Sequence, residues 1–222
     1  MIIAAAAVQF MPDRMPAHYN FQGEIDRWGS KYENFIMPVI IIIMTAVWVL
    51  TIAGMNKKAA RQDITEKQRK EAASNANVMF YVAVAMTLFE TALYCVMLCV
   101  DFQAVEKNAS AFTVDFYKIS AVLIGVFTAV IGNVVPKLKR NALIGVRTKW
   151  SLEDDENWSA TNRFGGGLLM IGGLLTVTEA LILGGPASLI VALAILLACS
   201  GMCVLYSYLV YKKRKRTEQN GE

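Results

Sequence analysis

Two carboxylates lie inside long apolar runs of this chain, Glu90 within 78–100 and Glu179 within 164–183. Ionisable groups are costly in lipid and mark ion, proton or substrate pathways. Glu90 is 12 residues past the start of its run and Glu179 is 15 past the start of its own. At the helical rise these are depths of about 18 and about 22 Å. The two could therefore meet and share a proton or a cation, since two buried like charges repel. That chemistry would suit a small ion-coupled transporter. The plainer reading is that each is protonated and hydrogen-bonded to a neighbouring helix. Metal chemistry has less support. His18, Glu24, Asp26 and Glu33 fall in one loop but lack ligand spacing, so no metal is expected. Cys95 and Cys99 sit near one end of their run and Cys203 near the opposite end of another, so all four cysteines read as small apolar residues. No phosphate-binding glycine loop, nucleophile elbow or HExxH helix is present, and neither catalysis nor a cofactor is expected.

Two polar connections offer working surfaces. The first, 12–34, is dense in turn formers (Pro12, Pro16, Asn20, Gly23, Gly29) and reads as a compact cap. The second, 135–166, carries six Lys/Arg (Lys137, Lys139, Arg140, Arg147, Lys149, Arg163) with Asn141, Gly145, Trp150 and Trp158. Ser151 followed by Asp154 loosely fits a capping box, so a helix is expected from about Leu152. It would put Trp158 and Asn162 on one face and run into the next apolar run. Trp150 and Trp158 fit an interfacial aromatic belt. Arg147 is the inner residue most suited to binding a partner, because its planar fork grips a carboxylate bidentately.

The elements that hold these residues follow from hydropathy. The chain has 222 residues, 55% hydrophobic and only 18% charged, too apolar to cover a soluble surface. Runs 35–55, 78–100, 117–135, 164–183 and 187–211 each approach or exceed the ~20 residues that a spanning helix needs. Residues 1–11 are a partial span. The polar stretch 59–77, rich in helix formers, extends the following span as a helix. The expected architecture is all-α: one transmembrane domain over 1–222, a polytopic helical bundle of five full spans plus a short N-terminal partial span. Alternate connections hold 17 Lys/Arg on one side and five on the other. By the positive-inside rule, residues 57–77, 137–163 and the basic tail face the cytoplasm, and the 12–34 cap faces outward. The C-terminus is then cytoplasmic. This charge distribution suits a membrane and not a nucleic acid.

Two stretches resemble the SdpI-type bacterial immunity family. The inner one, Asn141-Ala-Leu-Ile-Gly145-Val-Arg147-Thr-Lys-Trp150-Ser-Leu, continues with Trp158, Thr161, Arg163 and Gly165. It is similar to the signature N-x3-G-x-R-T-x-W-[ST]-L…W…T-H-R-x-G. The outer one, with Pro16, His18, Asn20, Gly23, Asp26, Gly29 and Lys31, is similar to an uncharacterised membrane domain that often precedes the signature. Asn162 stands where the family usually has His, which leaves any proton-handling role there without its titratable group. The first span is shortened relative to the six-span family pattern. The resemblance implies a multi-pass protein of the bacterial plasma membrane, in contact with lipid, that protects against a toxin peptide. It also implies signal transduction through a cytoplasmic repressor held at the membrane. His18, Asn20, Gly23, Asp26 and Lys31 would meet the extracellular peptide. Asn141, Gly145, Arg147, Trp150, Trp158, Asn162 and Arg163 would serve the cytoplasmic partner.

Overall fold

A computed structural model describes residues 1–220. A short helix α1 (Ile2–Phe10) leads into a hairpin of β1 (Arg14–Tyr19) and β2 (Ile25–Ser30). Five long helices follow: α2 (Ile36–Ala59), α3 (Glu66–Glu106), α4 (Phe116–Val134), α5 (Asp155–Leu183) and α6 (Gly185–Asn220). All five are long and apolar enough to cross a membrane. Side chains such as Ile42, Leu50, Leu88, Leu174 and Leu197 are exposed in mid-helix, as they must be where the solvent is hydrocarbon. The helical class holds, with one addition. The cap, expected as a turn-closed loop, contains an antiparallel two-stranded ladder whose register shifts at Pro16/His18 and again at His18/Tyr19.

Local sequence sets the helix starts. Thr65 accepts from the Gln68 backbone N–H while the Gln68 side chain returns to Thr65, a full capping box for α3. The polar extension expected over 59–77 therefore exists, but as the first turns of α3 after a break at residues 60–65. With 41 residues α3 runs about 62 Å, twice the hydrocarbon thickness, so some of it projects from the membrane. The α5 start differs from expectation. Asp154, not Ser151, caps it, accepting from the Glu156 and Asn157 N–H groups at 2.8 and 2.7 Å. The Ser151 hydroxyl is already engaged, donating to Val146 O at 2.7 Å and accepting from Thr148 N at 2.9 Å.

Glycines set the helix packing. A Cβ on Gly173 would lie 2.4 Å from Gly125 O, and one on Gly166 would lie 2.6 Å from Gly132 O, so α4 and α5 touch backbone to backbone. The other small face of α5 receives α6: Gly172 and Gly165 meet the Cys199 and Cys203 sulfurs. Those cysteines are buried and free, filling grooves as small apolar side chains. Side-chain bonds then gather the connections at two ends. Residues 60–75, 138–154 and the basic tail share one, the basic end. The hairpin, 101–117 and the α5–α6 turn share the other, the cap end.

Candidate functional site

At the basic end, the 138–162 segment folds on itself through the signature residues. Asn141 Oδ1 accepts from Leu143 N and Ile144 N at 2.7 and 2.9 Å, while its amide donates to Lys139 O and Ile144 O. Gly145 follows at φ +114°, a backbone state that L side chains rarely adopt. A Cβ there would lie 2.6 Å from Asn162 Oδ1 and 3.0 Å from the Trp158 ring. Asn162, fully buried, accepts from Val146 N at 2.8 Å and donates to Trp158 O at 3.0 Å. A neutral amide suits that position because it must accept and donate at once.

Trp158 is not part of an interfacial belt. Its ring is buried among Val78, Val135 and Leu138, and its Nε1 donates to Leu138 O at 2.8 Å. An indole N–H taken from water needs such a partner. Trp150 is half-buried, its ring 5.0 Å from that of Tyr208 on α6. Thr148 and Ser207 are hydrogen-bonded side chain to side chain.

Polar clamps tie this loop to α3 and α6. Asn75, buried, donates to Lys139 O and accepts from Lys139 N at 2.8 Å. Asp155 accepts from Lys67 at 2.5 Å and from Arg140 at 2.8 Å. Lys67 hydrogen-bonding, followed by the Arg140 charge, outweighs partial burial and holds the Asp155 carboxyl below the usual carboxylate range. Arg214 on α6 bonds Asp154 at 2.6 Å and Glu156 at 2.9 Å. At Asp154 burial opposes ionisation. The Asn157 N–H and Arg214 overcome it, so that carboxyl too is lowered. The sequence does not show the pairing of Asn75, Lys67, Asp155 or Arg214, because their partners are as far as 88 positions away.

What remains free is a set of cations. Arg147 is exposed and, among the described residues, has only a 3.5 Å contact to Leu143 O. Arg163 and Lys149 are also exposed and form no ion pair among the described residues. Leu143, 57% exposed, adds an apolar neighbour two residues beyond Asn141.

At the cap end, Asn20 closes the hairpin turn, its Oδ1 accepting from Gln22 N and Glu24 N. Gly23, at φ +82°, has Phe112 packed where a Cβ would go. Lys31 pairs with Asp13 at 3.1 Å. All three are engaged within the cap. His18 and Asp26 are exposed and bonded to each other at 2.6 Å. Glu33 is taken by Arg27 and by the Ser30 N–H, and no metal-binding cluster occurs among the described residues. The hairpin is seated by Tyr19, stacked on Phe112 at 4.3 Å, whose hydroxyl donates to buried Asp101 at 2.8 Å. Burial, then the Asp101 charge and hydrogen bond, push the Tyr19 phenol well above its ordinary value. Beside this contact a cavity of about 210 Å³ opens, lined by Pro16, Arg27, Glu33, Tyr94, Met97 and Asp101.

Glu90 and Glu179 do not pair. They share no hydrogen bond, and their helices α3 and α5 pack on α4. Glu90 Oε2 and both Glu179 oxygens are buried without a hydrogen-bond partner among the described residues. Matching depth did not bring the two together.

Five apolar helices and two buttressed ends define a polytopic helical membrane protein. Residues 137–207 match the SdpI/YfhL protein family, and residues 1–42 match a domain of unknown function, DUF1648. The chain is 26% identical over 206 residues to the immunity protein SdpI of Bacillus subtilis (strain 168), covering 92% of this chain and 87% of that protein. The resemblance to the SdpI-type family thus extends across most of the chain, with the inner motif and the outer motif each inside a matched segment. No solved structure matches.

Proposed function

We propose that this is an immunity and signalling protein of the bacterial plasma membrane that resists a membrane-active toxin peptide, without catalysis. The basic end faces the cytoplasm, as the 17-to-five division of Lys/Arg favours. One observation carries the partner assignment. Asn141, Gly145, Trp158 and Asn162 are spent on holding the loop, which leaves Arg147 and Lys149 on its surface and Arg163 in the first turns of α5 without an ion pair among the described residues. Such a rigid mount with free guanidinium groups suits an acidic segment of a soluble partner, such as a repressor held at the membrane. On the cap, the exposed His18–Asp26 pair is the counterpart surface for an extracellular peptide. Toxin challenge and membrane recruitment of the partner in cells test both. Arg147→Ala should abolish recruitment and leave protein abundance unchanged, whereas His18→Ala with Asp26→Ala should weaken resistance. Full resistance and recruitment in both variants would overturn the assignment of these surfaces.

A second reading rests on the unpartnered carboxylates: ion-coupled transport through Glu90 or Glu179 acting separately. Proteoliposome flux lost in Glu90→Gln or Glu179→Gln supports it, and equal flux in empty liposomes excludes it.

A further inference from the structure

We infer that a groove between α3 and α4 is a binding site for one anionic phospholipid of the leaflet facing the basic end. Two adjoining cavities, of about 490 and about 310 Å³, share Ala85, Leu88 and Val130 and form one channel. Its deep part is apolar, lined by Leu123, Val126 and the stacked Phe89 and Phe127 rings, 4.8 Å apart. Its mouth is polar: Ser74, Asn77, Tyr81, Asn133 and Lys137. The groove exists because α4 spends its small face on α5. Gly125 and Gly132 meet Gly173 and Gly166 there, so Val126, Val130 and Asn133 are left turned toward α3 without close packing.

Length and charge select the occupant. From Asn77 to Ala92 the groove follows 15 residues of α3, about 22 Å, which is less than the full ~30 Å hydrocarbon core. That depth fits an acyl chain from one leaflet. An extended peptide would bring backbone groups that this apolar lining cannot satisfy. Asn77, Asn133 and Lys137 make no side-chain hydrogen bond or ion pair among the described residues, so their donors are free for a phosphate. Ser74 also borders a cavity with Lys70 and Lys139, where Lys70 is paired with Glu66. Lys139, like Lys137, forms no ion pair among the described residues, and no carboxylate lines the mouth itself. The balance there is positive, as an anionic headgroup requires.

Native mass spectrometry of the purified full chain in detergent, titrated with phosphatidylglycerol or phosphatidylcholine of the same acyl composition, tests this. Phosphatidylglycerol should be retained in preference, as one tight adduct. Lys137→Gln should weaken it about five-fold, the equivalent of about 1 kcal/mol, without changing the melting temperature in lipid-free detergent. Leu88→Trp, or Val126→Trp, both at exposed positions, should fill the groove and remove the adduct with Lys137 intact. Equal retention of the two lipids, or an adduct indifferent to both tryptophans, overturns the inference. So does glycerol phosphate binding as tightly as the lipid, since the headgroup site would then stand without the groove. None of these outcomes bears on toxin resistance.

Discussion

Replacing Gly145 by alanine tests the account of the basic-end loop most directly. Two effects add. A residue with a Cβ held at φ +114° is strained by about 1–3 kcal/mol. The new methyl would also lie 2.6 Å from Asn162 Oδ1 and must displace it, breaking the 2.8 Å bond from Val146 N. Leaving that buried acceptor unmatched costs about 1–3 kcal/mol more. Gly145→Ala should therefore destabilise by roughly 2–6 kcal/mol. Gly167→Ala is the matched control: nothing lies within 4 Å of a Cβ there, and helix propensity favours alanine by at most about 1 kcal/mol. The assay is reversible unfolding in mixed micelles followed by tryptophan fluorescence. Because Asn162 supplies the clash, Gly145→Ala combined with Asn162→Ala should be less damaging than the sum of the single changes, by about 0.5–3 kcal/mol. Gly145→Ala within about 0.5 kcal/mol of wild type, or strict additivity in the double variant, would refute the reasoning.

Tyr19→Phe removes the hydroxyl that seats the hairpin on Asp101 and should cost about 1–3 kcal/mol, read as earlier proteolysis of the cap in intact vesicles with the spans protected. Gly173→Leu should force α4 from α5, because even a Cβ meets Gly125 O at 2.4 Å; loss of folded yield is expected, where Gly54→Leu, facing open space, should be neutral. The Asp155 clamp has a defined pH response. Its folded value lies below the ordinary one, so its stabilisation is complete above about pH 4 and disappears as pH falls through that lower folded value. Asp155→Asn should weaken the pH dependence of loop proteolysis over that window, leaving the part due to the Asp154–Arg214 pair, while the response of the cap stays unchanged. Cysteine labelling in whole cells should reach position 18 from outside and position 147 only after permeabilisation; labelling of both from one side would reverse the proposed orientation.

The bilayer makes much of this protein readable from its sequence. A helix must be about 20 apolar residues long to satisfy its backbone in hydrocarbon, so 35–55, 78–100, 117–135, 164–183 and 187–211 announce themselves without reference to one another. Gly165, Gly166, Gly172 and Gly173 likewise mark two smooth faces by spacing alone. Resemblance draws attention to the signature residues without dividing their labour. Asn141, Trp158 and Asn162 are hydrogen-bonded inside the fold, and Trp158 lies in the core and not at the lipid interface. A pattern states which residues occur together, not which of them bond to each other.

Sequence by itself determined which segments cross the membrane and how the cations divide between the two sets of connections, because length, hydropathy and charge are one-dimensional quantities. Only the tertiary structure decided who faces whom. Depth along the helix put Glu90 and Glu179 level, yet α4 packs between their helices. The Asn75–Lys139 and Lys67–Asp155 clamps join positions 64 and 88 apart. The order of helices around the bundle is set by backbone contact at Gly125–Gly173 and Gly132–Gly166, and that order left the groove beside α3 open.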